Sequence, residues 1–143
     1  MIPYLSERER VQFPDPVATG PEGVVAAGGN LSPGFLLSAY EQGIFPWYDR
    51  GPILWHCPDP RFVLFIDGIH VSRRLRRTFR KEPRLVTFDR AFGQVISHCR
   101  NIEREGQPGT WITLEMRQAY EELHKLGHAH SVEVWRGEAL VGG

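Results

Sequence analysis

The sequence predicts an α+β protein, with a small irregular N-terminal domain over residues 1–60 and a sheet with helices over residues 61–143. Three observations carry that expectation. The first thirty residues are punctuated by turn formers, "FPDP" at Phe13–Pro16 and "AAGGN" at Ala26–Asn30. The stretch "GIFPWYDRGPILWHCPDPR", Gly43–Arg61, holds four of the chain's eleven prolines and two of its four tryptophans. It is too proline-rich for a long helix and too apolar for an ordinary solvated loop. From Arg61 onward, strand-like and helix-like runs follow one another in the order βαβααββ.

Each element has a local reason. A first helix is expected at about Ser32–Gln42: Ser32 suits the N-cap, Pro33 the first helical position and Gly43 the stop. Phe35, Leu36, Ala39 and Tyr40 form its apolar stripe. In the proline-rich stretch only "ILW" reads as extended. "RFVLFI" then reads as a strand, residues 70–81 as a helix, "RLVTFD" (84–89) as a strand, and 91–102 as a helix carrying Phe92, Val95, Ile96 and Cys99 on one side. A Gly/Pro loop (Gly106–Gly109) leads to "TWIT". Thr113 caps a helix that runs to Leu126 and stops at Gly127, with Met116, Ala119, Tyr120 and Leu123 as its stripe. "HSVEVW" and "EALVGG" close a hairpin around Arg136-Gly137. The last strand stops at Gly143 on an open edge, which natural sheets usually cover. The expectation is therefore a chain that continues past Gly143.

Bulk properties bound the function. A chain of 143 residues, 41% hydrophobic, suits one domain, or one small domain plus part of another. Lys+Arg and Asp+Glu balance at 17 each, so net charge points to no polyanion and local patches matter more. Cys57 and Cys99 form no CxxC pair and read as reduced thiols. No run approaches the roughly 18–20 apolar residues of a membrane helix, and no signal peptide opens the chain. The expected setting is cytoplasmic, with no membrane partner.

The strongest chemical signal is "HVSRRLRRTFRK", His70–Lys81. Arg73, Arg77, Arg80 and Lys81 share one helical face, and Val71, Leu75 and Phe79 lie on another that suits packing on a sheet. So many cations repel one another, and phosphate contacts offset that repulsion through counterion release. A solvated face and an anionic lipid surface are the competing readings. The second signal is aromatic: Phe45, Trp47, Tyr48, Trp55 and Trp111 lie in loops or at element ends. Each alone reads as core. As a set they offer flat, stiff walls for an apolar group or a base. His124, His128 and His130 have metal-like spacing, but Gly127 interrupts the helix between them and the segment is not HExxH. His56-Cys57 and His98-Cys99 are sequence neighbours, which do not face each other as a nucleophile and base must. No Gly-rich phosphate loop is present. Neither a metal nor a cofactor is expected.

The motifs "GGNLSPGFLLSAYEQGIFPWY", "ILWHCPDPR", "HVSRRLRR", "TFDRAFGQVISHCR", "GTWIT" and "LHKLGHAHSVEVWRGEALVGG" occur in this order from about Phe13 to Gly143. Together they resemble the leucyl/phenylalanyl-tRNA–protein transferase family. The resemblance implies transfer of leucine or phenylalanine, and also methionine, from aminoacyl-tRNA to the N-terminal Arg or Lys of acceptor proteins, marking them for degradation. It implies an acyltransferase-like (GNAT) fold for residues 61–143, joined to the small first domain. It places Trp47 and Trp111 in the wall of the aminoacyl side-chain pocket. Trp55 is expected to pack between the domains, and the prolines to hold one domain against the other. It places Arg73, Arg77, Arg80 and Lys81 on the tRNA acceptor stem. A stiff aromatic pocket rejects polar or β-branched side chains by misfit, each worth ~1–3 kcal/mol.

The family's catalytic carboxylate and glutamine are expected beyond Gly143. Glu103, Glu105, Glu115, Glu121, Glu122 and Glu133 offer no convincing substitute, so residues 1–143 alone are expected to be inactive. Two rival readings remain open at this point. One is a non-catalytic tRNA-binding fragment. The other is a CoA-dependent acetyltransferase, whose pyrophosphate loop would follow Gly143.

Overall fold

The computed structural model describes residues 4–5, 10–20, 22–82, 84–102, 106 and 110–143. Glu103, Glu105 and residues 107–109 of the expected Gly/Pro loop lie outside them. The described residues form a mixed α+β structure with four α-helices and two small sheets. In chain order these are β1 (Tyr4–Leu5), β2 (Val24–Gly28), α1 (Pro33–Tyr40), β3 (Phe45–Pro46), β4 (Leu54–His56), α2 (Arg73–Lys81), β5 (Leu85–Phe88), α3 (Phe92–Asn101), α4 (Leu114–Lys125), β6 (Val132–Arg136) and β7 (Ala139–Gly142).

The first sheet runs β1-β2-β4-β3. β1 is parallel to β2, and the other pairs are antiparallel. The proline-rich stretch thus supplies two strands rather than the single "ILW" expected of it. Pro46 has no amide hydrogen and lies in β3, at the edge of the sheet, where a ladder tolerates proline. β4 sits between β2 and β3 and puts Trp55 into the core.

The core is built on three rings. Phe13 meets Phe35 and Trp55 edge-on, at centroid distances of 5.6 and 5.0 Å, and Phe35 lies 5.3 Å from Trp55. All three are buried. The Trp55 indole donates to the Gly28 carbonyl at 2.9 Å, so its polar atom is satisfied. Trp55 is therefore a central residue of this aromatic cluster. Gly29 makes room for the cluster: its φ is +76°, and a Cβ there would stand 2.3 Å from the Phe35 ring. "AAGGN" is a packing requirement as well as a turn.

α1 begins as expected, with the Ser32 hydroxyl accepting from the Phe35 amide and Pro33 in the first turn. It ends at Tyr40. Phe35, Leu36 and Ala39 are buried, while Tyr40 turns away toward α4. There Leu123 joins the cluster formed by the first sheet and α1, with Ala119 and Tyr120 packed against it. One continuous core therefore reaches from the first sheet into the chain's last third.

The second sheet is antiparallel, β5-β6-β7. α4 starts at the Thr113 cap, whose hydroxyl accepts from the Met116 amide at 3.1 Å, and Gly127 stops it with φ +78°. The β6–β7 turn falls on Gly137-Glu138, one residue later than expected. Glu133, an interior β6 residue, is fully buried. It accepts from the Ser131 hydroxyl at 2.6 Å, the Ala91 amide at 3.1 Å and the Thr87 hydroxyl. Burial by itself pushes this carboxyl up, but those donors and the Arg90 amide outweigh it and hold the group below the ordinary carboxylate range. The carboxylate ties β5, β6 and the start of α3 together.

Two expectations fail after Arg61. "RFVLFI" is not a strand: residues 61–65 are irregular, a short 3-10 turn follows at Ile66–Gly68, and Phe62 is 100% exposed. A strand exists only where a neighbour takes its hydrogen bonds, and no described strand pairs with this run. Among the described residues the Val71, Leu75 and Phe79 stripe likewise packs on no sheet, and α2 has no buried residue. Among the described residues no helix is long and apolar enough to cross a membrane.

Candidate functional site

Trp47 and Trp111 are 64 positions apart, and they line one open pocket of about 320 Å³ together with Phe45 and Pro46. Among the described residues its lining is aromatic or proline. The two indoles are 54% and 37% exposed, well beyond what a core role requires.

Local chemistry positions each wall. Trp47 follows edge strand β3, and its amide donates to the Leu54 carbonyl at 2.9 Å, fixing the segment against β4. In the β3–β4 pair Phe45 stands opposite His56, and their rings stack at 6.2 Å and 29°. His56 lies 5.7 Å from the Trp47 ring and donates through Nε2 to the Trp47 carbonyl at 3.2 Å. Phe45, His56 and Trp47 thus form one run of rings on the outer face of the sheet.

Trp111 precedes α4 and is held from both sides. Ile112 is buried, and the Arg100 guanidinium donates to its carbonyl at 3.2 Å. The Thr113 amide donates to the Trp111 carbonyl at 3.1 Å. The two walls are bridged where the Tyr48 hydroxyl donates to Glu115 at 3.4 Å. Burial raises the Tyr48 phenol above its ordinary range, a hydrogen bond with Thr113 lowers it, and the Glu115 charge adds to the rise.

The four basic residues singled out in the sequence, Arg73, Arg77, Arg80 and Lys81, lie on α2. The Ser72 hydroxyl caps that helix by accepting from the Leu75 amide at 3.2 Å. All four are exposed, and among the described residues none is paired with a carboxylate. Arg80 and Lys81 complement the negative end of the helix dipole. None of the four lines the aromatic pocket, so pocket and basic face are separate features.

The histidines do not converge. His124 donates to the Ala129 carbonyl at 2.8 Å and stacks flat on Phe92, 4.3 Å between centroids. His130 donates to Asp89 at 2.7 Å. Among the described residues no group of three or more His, Cys, Asp or Glu side chains could hold a metal. Cys57 and Cys99 are both free thiols.

Sequence reasoning set Phe45 beside both indoles as aromatic walls, and did not name Pro46 as a lining residue or His56 as support.

Residues 63–143 match the family model described as "Leucyl/phenylalanyl-tRNA protein transferase", and residues 29–59 match that of the same family's N-terminal domain. A leucyl/phenylalanyl-tRNA–protein transferase of Nitratidesulfovibrio vulgaris is 55% identical over 141 residues, covering 98% of this chain and 60% of the relative. Proteins of the same name from Maridesulfovibrio salexigens and Myxococcus xanthus are 57% and 53% identical, covering 92% and 99% of this chain and 55% and 61% of the relatives. The chain thus spans about 60% of the length of the curated relatives it matches. It belongs to the leucyl/phenylalanyl-tRNA–protein transferase family.

Proposed function

We propose that these residues form the aminoacyl side-chain pocket and the tRNA-facing surface of a cytoplasmic transferase. The reaction passes leucine, phenylalanine or methionine from aminoacyl-tRNA to the N-terminal Arg or Lys of acceptor proteins, marking them for degradation. Residues 1–60 then form the small first domain, and residues 61–143 belong to a GNAT-like domain. The single observation that carries the reading is the meeting of Trp47 and Trp111 in one largely apolar pocket.

The chemistry follows from the shape. Transfer is aminolysis of an ester: the acceptor's α-amine attacks the ester carbonyl, and the ribose hydroxyl leaves. A group that removes the amine's proton and dipoles that steady the oxyanion are both required. Neither is assigned to residues 1–143. The residues at hand supply orientation. Seating an isobutyl or benzyl group between the indoles fixes the attached ester carbonyl at the pocket mouth, which lowers the entropic barrier. The unpaired face of Arg73, Arg77, Arg80 and Lys81 supports a contact with acceptor-stem phosphates, which positions tRNA without reading its bases.

The test is transfer of radiolabelled leucine from tRNA to an Arg-terminated peptide by the protein that carries these residues. Trp47→Ala is expected to lower transfer about 10- to 100-fold by misplacing the ester. Unchanged transfer overturns the reading.

A further inference from the structure

A cation packs against one of the pocket walls. The Arg61 guanidinium lies 5.4 Å from the centroid of the Phe45 ring, one of the pocket walls. Its Nη2 donates to the Gly43 carbonyl at 2.7 Å and contacts the Cys57 thiol at 3.6 Å. Arg61 is nevertheless exposed, and among the described residues no carboxylate pairs with it. Free surface arginines sample many rotamers. This one is held by a carbonyl and by a ring face, so less entropy is lost when it binds a further group. Nη2 is engaged, while Nε and Nη1 make no hydrogen bond among the described residues. An oriented guanidinium with donors to spare is suited to a phosphate.

We propose that Arg61 binds the phosphate of the 3′-terminal nucleotide of the aminoacyl-tRNA, making it a substrate-positioning residue beside the aminoacyl pocket. The inference rests on the pocket reading above. In a 3′-aminoacyl nucleotide the ester and the 5′-phosphate are joined by a few bonds across one ribose. A side chain seated between Trp47 and Trp111 therefore carries a phosphate near the pocket lip, where Phe45 presents Arg61. This contact differs from those of the basic helix, because it engages the nucleotide that bears the amino acid.

The probes are two non-hydrolysable compounds, 3′-leucylamido-3′-deoxyadenosine with and without a 5′-phosphate, titrated by calorimetry against the protein that carries these residues. The phosphate is expected to tighten binding about tenfold, the scale of one charged hydrogen bond. Arg61→Gln is expected to erase that gain and leave the unphosphorylated compound unaffected, with Arg61→Lys intermediate because it keeps the charge and loses the fork. Equal weakening of both compounds by Arg61→Gln makes Arg61 a prop for Phe45 and overturns the proposal, as does a phosphate gain that survives both substitutions. If the unphosphorylated compound binds wild type no better than plain adenosine, the pocket reading itself fails. Matching thermal melts for both variants keep the comparison free of folding defects.

Discussion

The hydroxyls of Tyr40, at the end of α1, and Tyr120, in α4, hydrogen-bond to each other across 80 residues of sequence, with their rings crossing at 81°. Burial raises the Tyr120 phenol far above its ordinary range, with Tyr40 adding to the rise, and burial likewise raises Tyr40. Both stay neutral at any physiological pH, so the contact does not titrate there. It fastens the edge of α1 to the helix that follows Trp111, and so fixes one pocket wall relative to the other.

A double-mutant cycle reads that fastening. Tyr120→Phe leaves the Tyr40 hydroxyl without its partner and is expected to cost about 1–2 kcal/mol in urea unfolding. Adding Tyr40→Phe is expected to cost little more, giving a coupling of about 1 kcal/mol. Strictly additive losses would show that the hydroxyls do not interact in solution.

Tryptophan substitutions separate core from pocket. Trp55→Ala empties the centre of the Phe13–Phe35–Trp55 cluster and strands the Gly28 carbonyl; the expected loss is about 3–5 kcal/mol. Trp47→Ala removes a half-exposed ring and is expected to cost under ~1 kcal/mol. Chemical denaturation of the two variants distinguishes these roles, and equal losses would contradict them.

Asp89 and His130 give the fold a pH window. Asp89 has φ +56°, and its carboxylate accepts from His130 at 2.7 Å and from the Ser131 amide at 2.8 Å, with His124 3.8 Å away. The His130 hydrogen bond, then the Ser131 amide, hold Asp89 below its ordinary value of 3.8, and the same Asp89 bond raises His130 above 6.5. The depressed carboxyl stabilises above about 3.8 and loses that contribution as pH falls through its folded value. The raised imidazole stabilises fully below about 6.5 and loses that contribution as pH rises through its folded value. The Tm difference between wild type and His130→Gln is therefore expected to peak between these limits and shrink on both sides. A pH-independent difference would show that the pair is not charged.

The basic face of α2 is expected to govern salt sensitivity. Arg73→Ala with Arg77→Ala should weaken tRNA binding and flatten the slope of log affinity against log salt by roughly 1–2. Filter binding across a salt series measures this. An unchanged slope makes the face a solvated surface.

Much of the fold was legible wherever local chemistry decides it. Ser32, Thr113 and Gly127 set helix ends through caps and a positive φ, and the strands at 85–88 and 132–136 stood out by composition. "RFVLFI" failed because strand formation is decided by a partner, which the run itself does not contain. The Leu75 and Phe79 stripe failed for the same reason: periodicity names a face but not what covers it. At the site, the two indoles were legible as large apolar residues in proline-stiffened loops. The support from His56 was not, because it depends on the β3–β4 register, and that is a tertiary fact.

The claim at the centre of this account is that the aminoacyl side chain sits between Trp47 and Trp111. Equilibrium binding of Leu-tRNA and of the same tRNA uncharged, to wild type and to Trp111→Ala, tests it most directly. Wild type is expected to prefer the charged form, Trp111→Ala to remove about 1–3 kcal/mol of that preference, and affinity for uncharged tRNA to stay unchanged. A preference for Leu-tRNA that persists in full without the Trp111 indole would contradict it.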